Sequence, residues 1–131
     1  MTGAVPDCRF RLSNRLIEDG PVHETGQFYV LMSNDNQLPG AALVIPKRHS
    51  ANPFEMNADE WSDLPNALAA ARESLEKFTP AGFTLGWNVG PVAGQTVGHT
   101  HLHVIARYED DPMAGRGIRH PLKRAHQVQN A

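Results

Sequence analysis

The sequence predicts an α+β domain: a mainly antiparallel five-stranded sheet with one helix packed on it. Three observations lead there. Five short segments are rich in β-favouring or apolar residues and are bounded by turn signals. One longer segment, between the third and fourth of these, repeats apolar residues at helical spacing. The remaining connections are mostly short, as antiparallel hairpins allow.

In chain order, residues 16–20 (LIEDG) and 27–32 (QFYVLM) read as strands. Between them Gly20, Pro21 and Gly26 signal a turn. Residues 33–40 form a polar loop closed by Pro39-Gly40, and 41–46 (AALVIP) suit a buried strand. Residues 47–53 are polar and irregular. Asn57 is a candidate helix N-cap, with Glu60 three residues on completing a capping pattern. Trp61, Leu64, Leu68, Ala71, Leu75 and Phe78 follow at helical spacing. Pro65 offers a second start near Leu64, with the proline at the first helical position. Thr79-Pro80 and Gly82 end the helix. Residues 83–89 read as a strand, 90–98 as a glycine-rich loop, and 100–108 as the last strand. Beyond Tyr108 the chain is polar and turn-rich, and the tail 124–131 is expected to be flexible.

With 131 residues, the chain is expected to form one domain over 1–131, with its core at about 10–123. The apolar fraction of 40% is too high for a disordered tail protein. A net charge of -2 argues against gripping a nucleic-acid backbone. The single cysteine, Cys8, excludes an internal disulfide and a Cys-x-x-Cys knuckle. Residues 1–11 lack an apolar signal-peptide core, and no stretch approaches the roughly 18 apolar residues that span a bilayer. The expectation is a cytoplasmic, soluble protein with neither a nucleic-acid nor a membrane partner.

Seven histidines are the compositional oddity, and His99, His101 and His103 stand together. On a strand these three share a face, while Thr100, Leu102 and Val104 point the other way, the last two into the core. Three readings compete. A solvated strand face rarely places three histidines at period two. A zinc centre can use three histidines and a water, but three in a row on one strand strain that geometry. A phosphate-handling site fits best: neutral imidazole is a nucleophile, and imidazole N–H groups stabilise phosphate oxygens. The context agrees. Glycines in 90–98 let backbone N–H groups approach an anion, and Gln95 and Thr96 carry donors. Asn88 ends the preceding strand, near the start of the histidine strand if the two form a hairpin.

The run Gly94-Gln95-Thr96-Val97-x-His99-x-His101-x-His103, followed by two apolar residues, resembles the signature of the histidine triad (HIT) family. The resemblance extends to Pro39-Gly40, to Leu43-Val44-Ile45-Pro46-Lys47-Arg48-His49, to Asn88, to Arg107-Tyr108 and to residues 115–119, and covers about 10–123. It implies a nucleotide-binding hydrolase or transferase acting at the α-phosphate of nucleoside phosphoramidates, dinucleoside polyphosphates or acyl adenylates. It makes His101 the nucleophile that forms a nucleotidyl-histidine intermediate. His99 and His103 flank the phosphate, and Asn88, Gln95 and Thr96 hydrogen-bond it or the leaving group. Residues near 31–36, Ser33 and Asn34 among them, meet the nucleoside. The fold it implies is doubled across a homodimer, and no cofactor or metal is required.

The chain departs from the family in places. Ala41 stands where many members carry a histidine, and Ser33 where an acidic or amide residue meets the ribose, with Asn34 as a substitute if the loop shifts. Thr100 replaces an apolar residue, with little effect expected. Some bacterial members hold a structural zinc on an N-terminal Cys-x-x-Cys pair plus histidines at positions like His49 and His99. Here the stretch reads Cys8-Arg9-Phe10-Arg11, so that site is expected to be lost and His49 to be a polar residue ending a loop. His23, His120 and His126 receive no role. Two other functions stay open: a nucleotide-binding regulatory or interaction protein with little turnover, and a zinc hydrolase.

Overall fold

The computed structural model describes residues 20–123. A single sheet holds β1 (His23–Glu24), β2 (Phe28–Met32), β3 (Ala41–Pro46), β4 (Gly82–Trp87) and β5 (Leu102–Arg107), and every pair is antiparallel. The order is β1-β2-β3-β5-β4. The first three strands form a meander. The chain then crosses through the helix α1 (Ala58–Leu75) to the far edge, and β5 fills the gap between β3 and β4.

The expected first strand falls elsewhere. Residues 16–19 lie outside the described residues, and His23–Glu24, read as turn, pair with Val30 and Tyr29. The turn glycines flank this two-residue strand rather than exclude it. Asp63 on the helix fixes it, accepting from Thr25 Oγ1 at 2.6 Å and Gln27 N at 2.8 Å. Strand β3 has the bounds read from sequence, while the fourth and fifth strands are shorter than expected at their termini nearest the glycine loop.

The helix starts at the Asn57 cap and not near Leu64. Asn57 Oδ1 accepts from Glu60 N at 2.9 Å, and Glu60 Oε1 accepts from Asn57 N at 2.8 Å, which satisfies two end donors reciprocally. Pro65 therefore sits inside the helix, and both it and Trp61, whose carbonyl it leaves without an N–H partner, are exposed residues. Glu60 is fully buried and also takes the guanidinium of Arg48 at 2.8 Å, which pins the 47–53 loop to the helix N-terminus. After Leu75 the helix tightens into a 3-10 turn and stops at Thr79, whose left-handed φ of 52° reverses the chain.

The helix covers one sheet face. Phe28, Val30, Val44, Leu102 and Val104 meet Ala67, Ala71 and Leu75 there in the main core. Each large side chain buried this way contributes roughly 1.5–3 kcal/mol. The opposite face carries a smaller cluster of Tyr29 and Ile45, with Leu31, Leu43 and Val97 against it. Gly40 sits at a close approach: a Cβ there would stand 2.7 Å from Tyr108 Oη and 3.1 Å from Phe78, and its φ is +85°. No helix among the described residues is long and apolar enough to cross a membrane.

Candidate active site

The histidines lie on the sheet face opposite the helix, at the strand that completes the sheet. Strand β5 begins at Leu102, so His99, Thr100 and His101 form a lead-in rather than part of the strand. The cause is Thr100. Its N donates to Ser50 O at 2.8 Å, and its hydroxyl meets Ser50 Oγ at 2.7 Å, all buried. That anchorage draws the lead-in toward the 47–53 loop. Leu102 and Val104 enter the core as expected.

Instead of one row of three, the imidazoles form two pairs. His101 and His103 meet edge to face, with centroids 5.1 Å apart. His99 meets His49, with centroids 4.8 Å apart and Nδ1 atoms 3.1 Å apart. His99 is fully buried, and its Nε2 lies 2.8 Å from the Pro46 carbonyl. A carbonyl only accepts, so His99 carries its proton on Nε2, and a neutral ring then receives the His49 proton at Nδ1. The same logic applies to His101. Its Nδ1 lies 2.8 Å from the His99 carbonyl oxygen, which places the proton on Nδ1 and the lone pair on Nε2. Burial pushes the His103 imidazole below the ordinary histidine value, with His101 adding to the shift, so His103 is neutral near pH 7.

The glycine loop is held from within. Gly90 and Gly94 take φ of +86° and +96°, and the Gly90 carbonyl accepts from Ala93 N and Gln95 N. Gln95 is the brace. Its Oε1 accepts from Gly90 N at 2.8 Å, while its Nε2 donates to Ala51 O at 2.6 Å and Val97 O at 3.1 Å. Both amide protons are therefore directed at backbone carbonyls. Likewise both ring nitrogens of His99 face protein partners. Thr96 is exposed at the end of the loop. Asn88 is exposed one residue beyond the Trp87–Leu102 pair, with its amide 3.7 Å from the Cβ position of Gly94. Ser33 lies just past β2, where its N donates to Ala41 O at 3.0 Å and its Oγ accepts from Asp35 N at 3.2 Å; Asn34 is exposed next to it.

Cross-strand pairing sets the surroundings of His103. Leu31, Leu43, His103 and Gly86 stand in one row across four strands. A Cβ on Gly86 would lie 3.1 Å from Ile118 Cδ1, so the C-terminal segment reaches the site. This approach is not visible in the sequence, and the closeness of His49 to His99 is implied there only by the family zinc site to which both positions correspond. His49 lies 50 residues from His99 in the chain, and its placement depends on Arg48. The zinc site of some bacterial members does not fit the residues present. No group of three or more His, Cys, Asp or Glu among the described residues is arranged to hold a metal ion, Cys8 lies outside them, and Arg11 occupies the second thiol position.

Comparison with known proteins agrees with this geometry. The HIT domain profile matches residues 14–110. An uncharacterised HIT-like protein of Methanocaldococcus jannaschii is 34% identical over 105 residues, covering 79% of this chain and 81% of that protein. The Arabidopsis thaliana bifunctional bis(5'-adenosyl)-triphosphatase/adenylylsulfatase is 37% identical over 63% of this chain, a match that spans 47% of that longer protein. Among solved structures, a HIT family hydrolase of Clostridium thermocellum superposes with a TM-score of 0.67 at 29% identity, over 82% of this chain and 96% of its own. The profile spans most of the sequence, and sequence and structural relatives extend the match: this protein belongs to the HIT domain family, whose members include dinucleoside polyphosphate hydrolases.

Proposed function

We propose that the protein is a nucleotidyl hydrolase or transferase that cleaves at the α-phosphate of nucleoside phosphoramidates, dinucleoside polyphosphates or related nucleotidyl compounds. The observation that carries this reading is the 2.8 Å contact from His101 Nδ1 to the His99 carbonyl. It gives His101 the tautomer of a nucleophile, with the lone pair on Nε2. His101 Nε2 forms a bond to phosphorus as the bond to the leaving group breaks. An amine departs with a proton from solvent, and a phosphate or carboxylate departs as the anion. Water then attacks phosphorus, the P–N bond to His101 breaks, and the nucleoside monophosphate leaves.

In this reading the neutral His103 ring donates to a phosphate oxygen, which avoids a second cation beside the imidazolium formed at His101. Asn88 and Thr96 supply exposed donors at the mouth of the glycine loop. Gln95 contributes by holding that loop, and His99 by holding His101. Leu31 and Leu43 give the nucleoside a half-buried apolar bed beside His103, with Ser33 and Asn34 at its end. The working form in this proposal is a cytoplasmic homodimer, supported by the position of β4 at the sheet edge. Light scattering of the purified protein checks the dimer.

The test is turnover of adenosine 5'-phosphoramidate by the purified protein, with His101→Ala as control. Release of adenosine monophosphate by the wild type and not by the variant supports the reading. Nucleotide binding without turnover supports instead the nucleotide-binding regulatory role. That role is favoured by the methyl group of Ala41, which is buried where many members carry a histidine.

A further inference from the structure

A concavity lies one cross-strand row from His103. It has a volume of about 530 Å³ and lies between the β2–β3 turn and the segment 110–121. Ile105 and Thr84 form its floor, and Leu38, Pro39, Met113 and Pro121 stand around it. Ile105 is two residues beyond His103 on the same face of β5, and Thr84 is its cross-strand partner. The floor is thus the row next to the one holding His103 and Gly86. Ile118, above Gly86, stands at the border between the two.

We propose that this pocket is the leaving-group subsite of the reaction, and that it takes an apolar, uncharged body joined to phosphorus through an amine nitrogen or a carboxyl oxygen. The proposal rests on the nucleotidyl-transfer reading of the histidine site. Three observations carry it. The first is continuity, because a group attached to phosphorus at His103 has the Ile105–Thr84 row as its neighbouring surface. The second is the lining. Leu38, Met113 and Ile118 are large apolar side chains left exposed, at 37%, 41% and 59%, and all three line or border this one pocket.

The third is charge. The ionisable residues around the pocket are Arg107, Arg116, Asp110 and Asp111, two cations against two anions. Arg107 is committed to Asp111, with contacts of 2.9 and 3.1 Å, and also donates to the Met113 and Arg116 carbonyls at 2.8 and 2.9 Å. Its hydrogen bonds hold the Asp111 carboxyl down to about 2, so the pair stays ionised and mutually neutralised. A site built for the distal phosphates of a dinucleoside polyphosphate would instead need a surplus of cations. Arg107 here serves to hold the segment that walls the pocket.

The experiment compares adenosine 5'-phosphoramidates whose amines have matched basicity but differ in apolar size, with unsubstituted phosphoramidate as reference. An acyl-adenylate arm separates carboxyl from amine attachment, and a dinucleoside polyphosphate arm tests the charged alternative. The expected result is a kcat/KM at least about tenfold higher for the bulky apolar amines or acyl groups than for the unsubstituted and polyphosphate compounds. Leu38→Asp and Ile118→Asp, both at exposed positions, should bring the ratio of apolar to unsubstituted kcat/KM close to one. Turnover of the unsubstituted compound with no gain from apolar groups overturns the subsite and leaves the nucleotidyl-transfer reading standing. A shift in base preference on Leu38→Asp, with the leaving-group ratio unmoved, overturns it by giving the pocket to the nucleoside. No turnover of any compound overturns both.

Discussion

The two histidine pairs use the same side chain for opposite purposes. His49 and His99 are locked by protein partners, with His99 fully buried between the Pro46 carbonyl and its neighbour's ring. His101 and His103 stand next to each other at the start of β5, facing the half-buried Leu31–Leu43 bed and the Ile118 border. The backbone carbonyl of His99 links the pairs. In the proposed mechanism the first pair sets geometry and the second carries chemistry, a division that the even spacing of the motif conceals.

Deleting the nucleophile should separate the pairs most sharply. His101→Ala is expected to lose on the order of 10⁴–10⁶ in kcat, the scale seen when an enzyme loses its nucleophile. Calorimetry should still detect nucleotide binding. Rapid quench with labelled substrate and peptide mapping should place an acid-labile phosphorus–nitrogen adduct on His101; a label on His99 or His103 would reject the assignment. His103→Ala should cost less, about 10²–10³ in rate, as for one lost transition-state donor. Single-turnover kinetics checks this, and equal losses in the His101 and His103 variants would erase the distinction within that pair.

His99→Ala tests the structural pair. It strips the Pro46 carbonyl of its donor, at a cost of roughly 1–3 kcal/mol. Urea unfolding should show a larger loss of stability than His103→Ala does. The reverse order would mean that the buried pair does not hold the site. The smallest effect concerns protonation. The His103 ring should titrate by NMR below about 6.5, the unperturbed value, and move upward in His101→Ala as the neighbouring charge is removed. Because the folded value is lowered, the unfolded chain binds the proton more readily. The stability this contributes is fully present above about pH 6.5 and is lost as pH falls through the folded value. Replacing His103 with Gln should therefore flatten the acid limb of the stability profile.

Much of the fold was legible because its signals are local. Asn57 and Glu60 cap a helix three residues apart, and AALVIP reads as a buried strand without outside help. Pro65 points toward a later start, but the reciprocal Asn57–Glu60 cap fixes the start ahead of it. The turn residues around His23 hid a short strand that is fixed by Asp63, far away in the chain. The site divides in the same way. The proposal of His101 and Asn88 as site residues comes from the motif and from hairpin geometry. Gln95 looked like an anion donor because its partners, Ala51 and Val97, are settled by loop closure. His49 and Ile118 are brought to the histidines only by contacts made across the sheet and the 47–53 loop.

The insertion of β5 between β3 and β4 has a consequence for synthesis. Until residues 102–107 have emerged from the ribosome, β3 and β4 have no partner along their facing edges, although the helix that connects them is already complete. The nascent chain therefore presents two open edges that the finished sheet lacks, the state most exposed to pairing with other chains. The same late segment closes that gap and delivers His101 and His103. A truncated product thus lacks both the finished sheet and the ring to which the proposed mechanism assigns the attack on phosphorus.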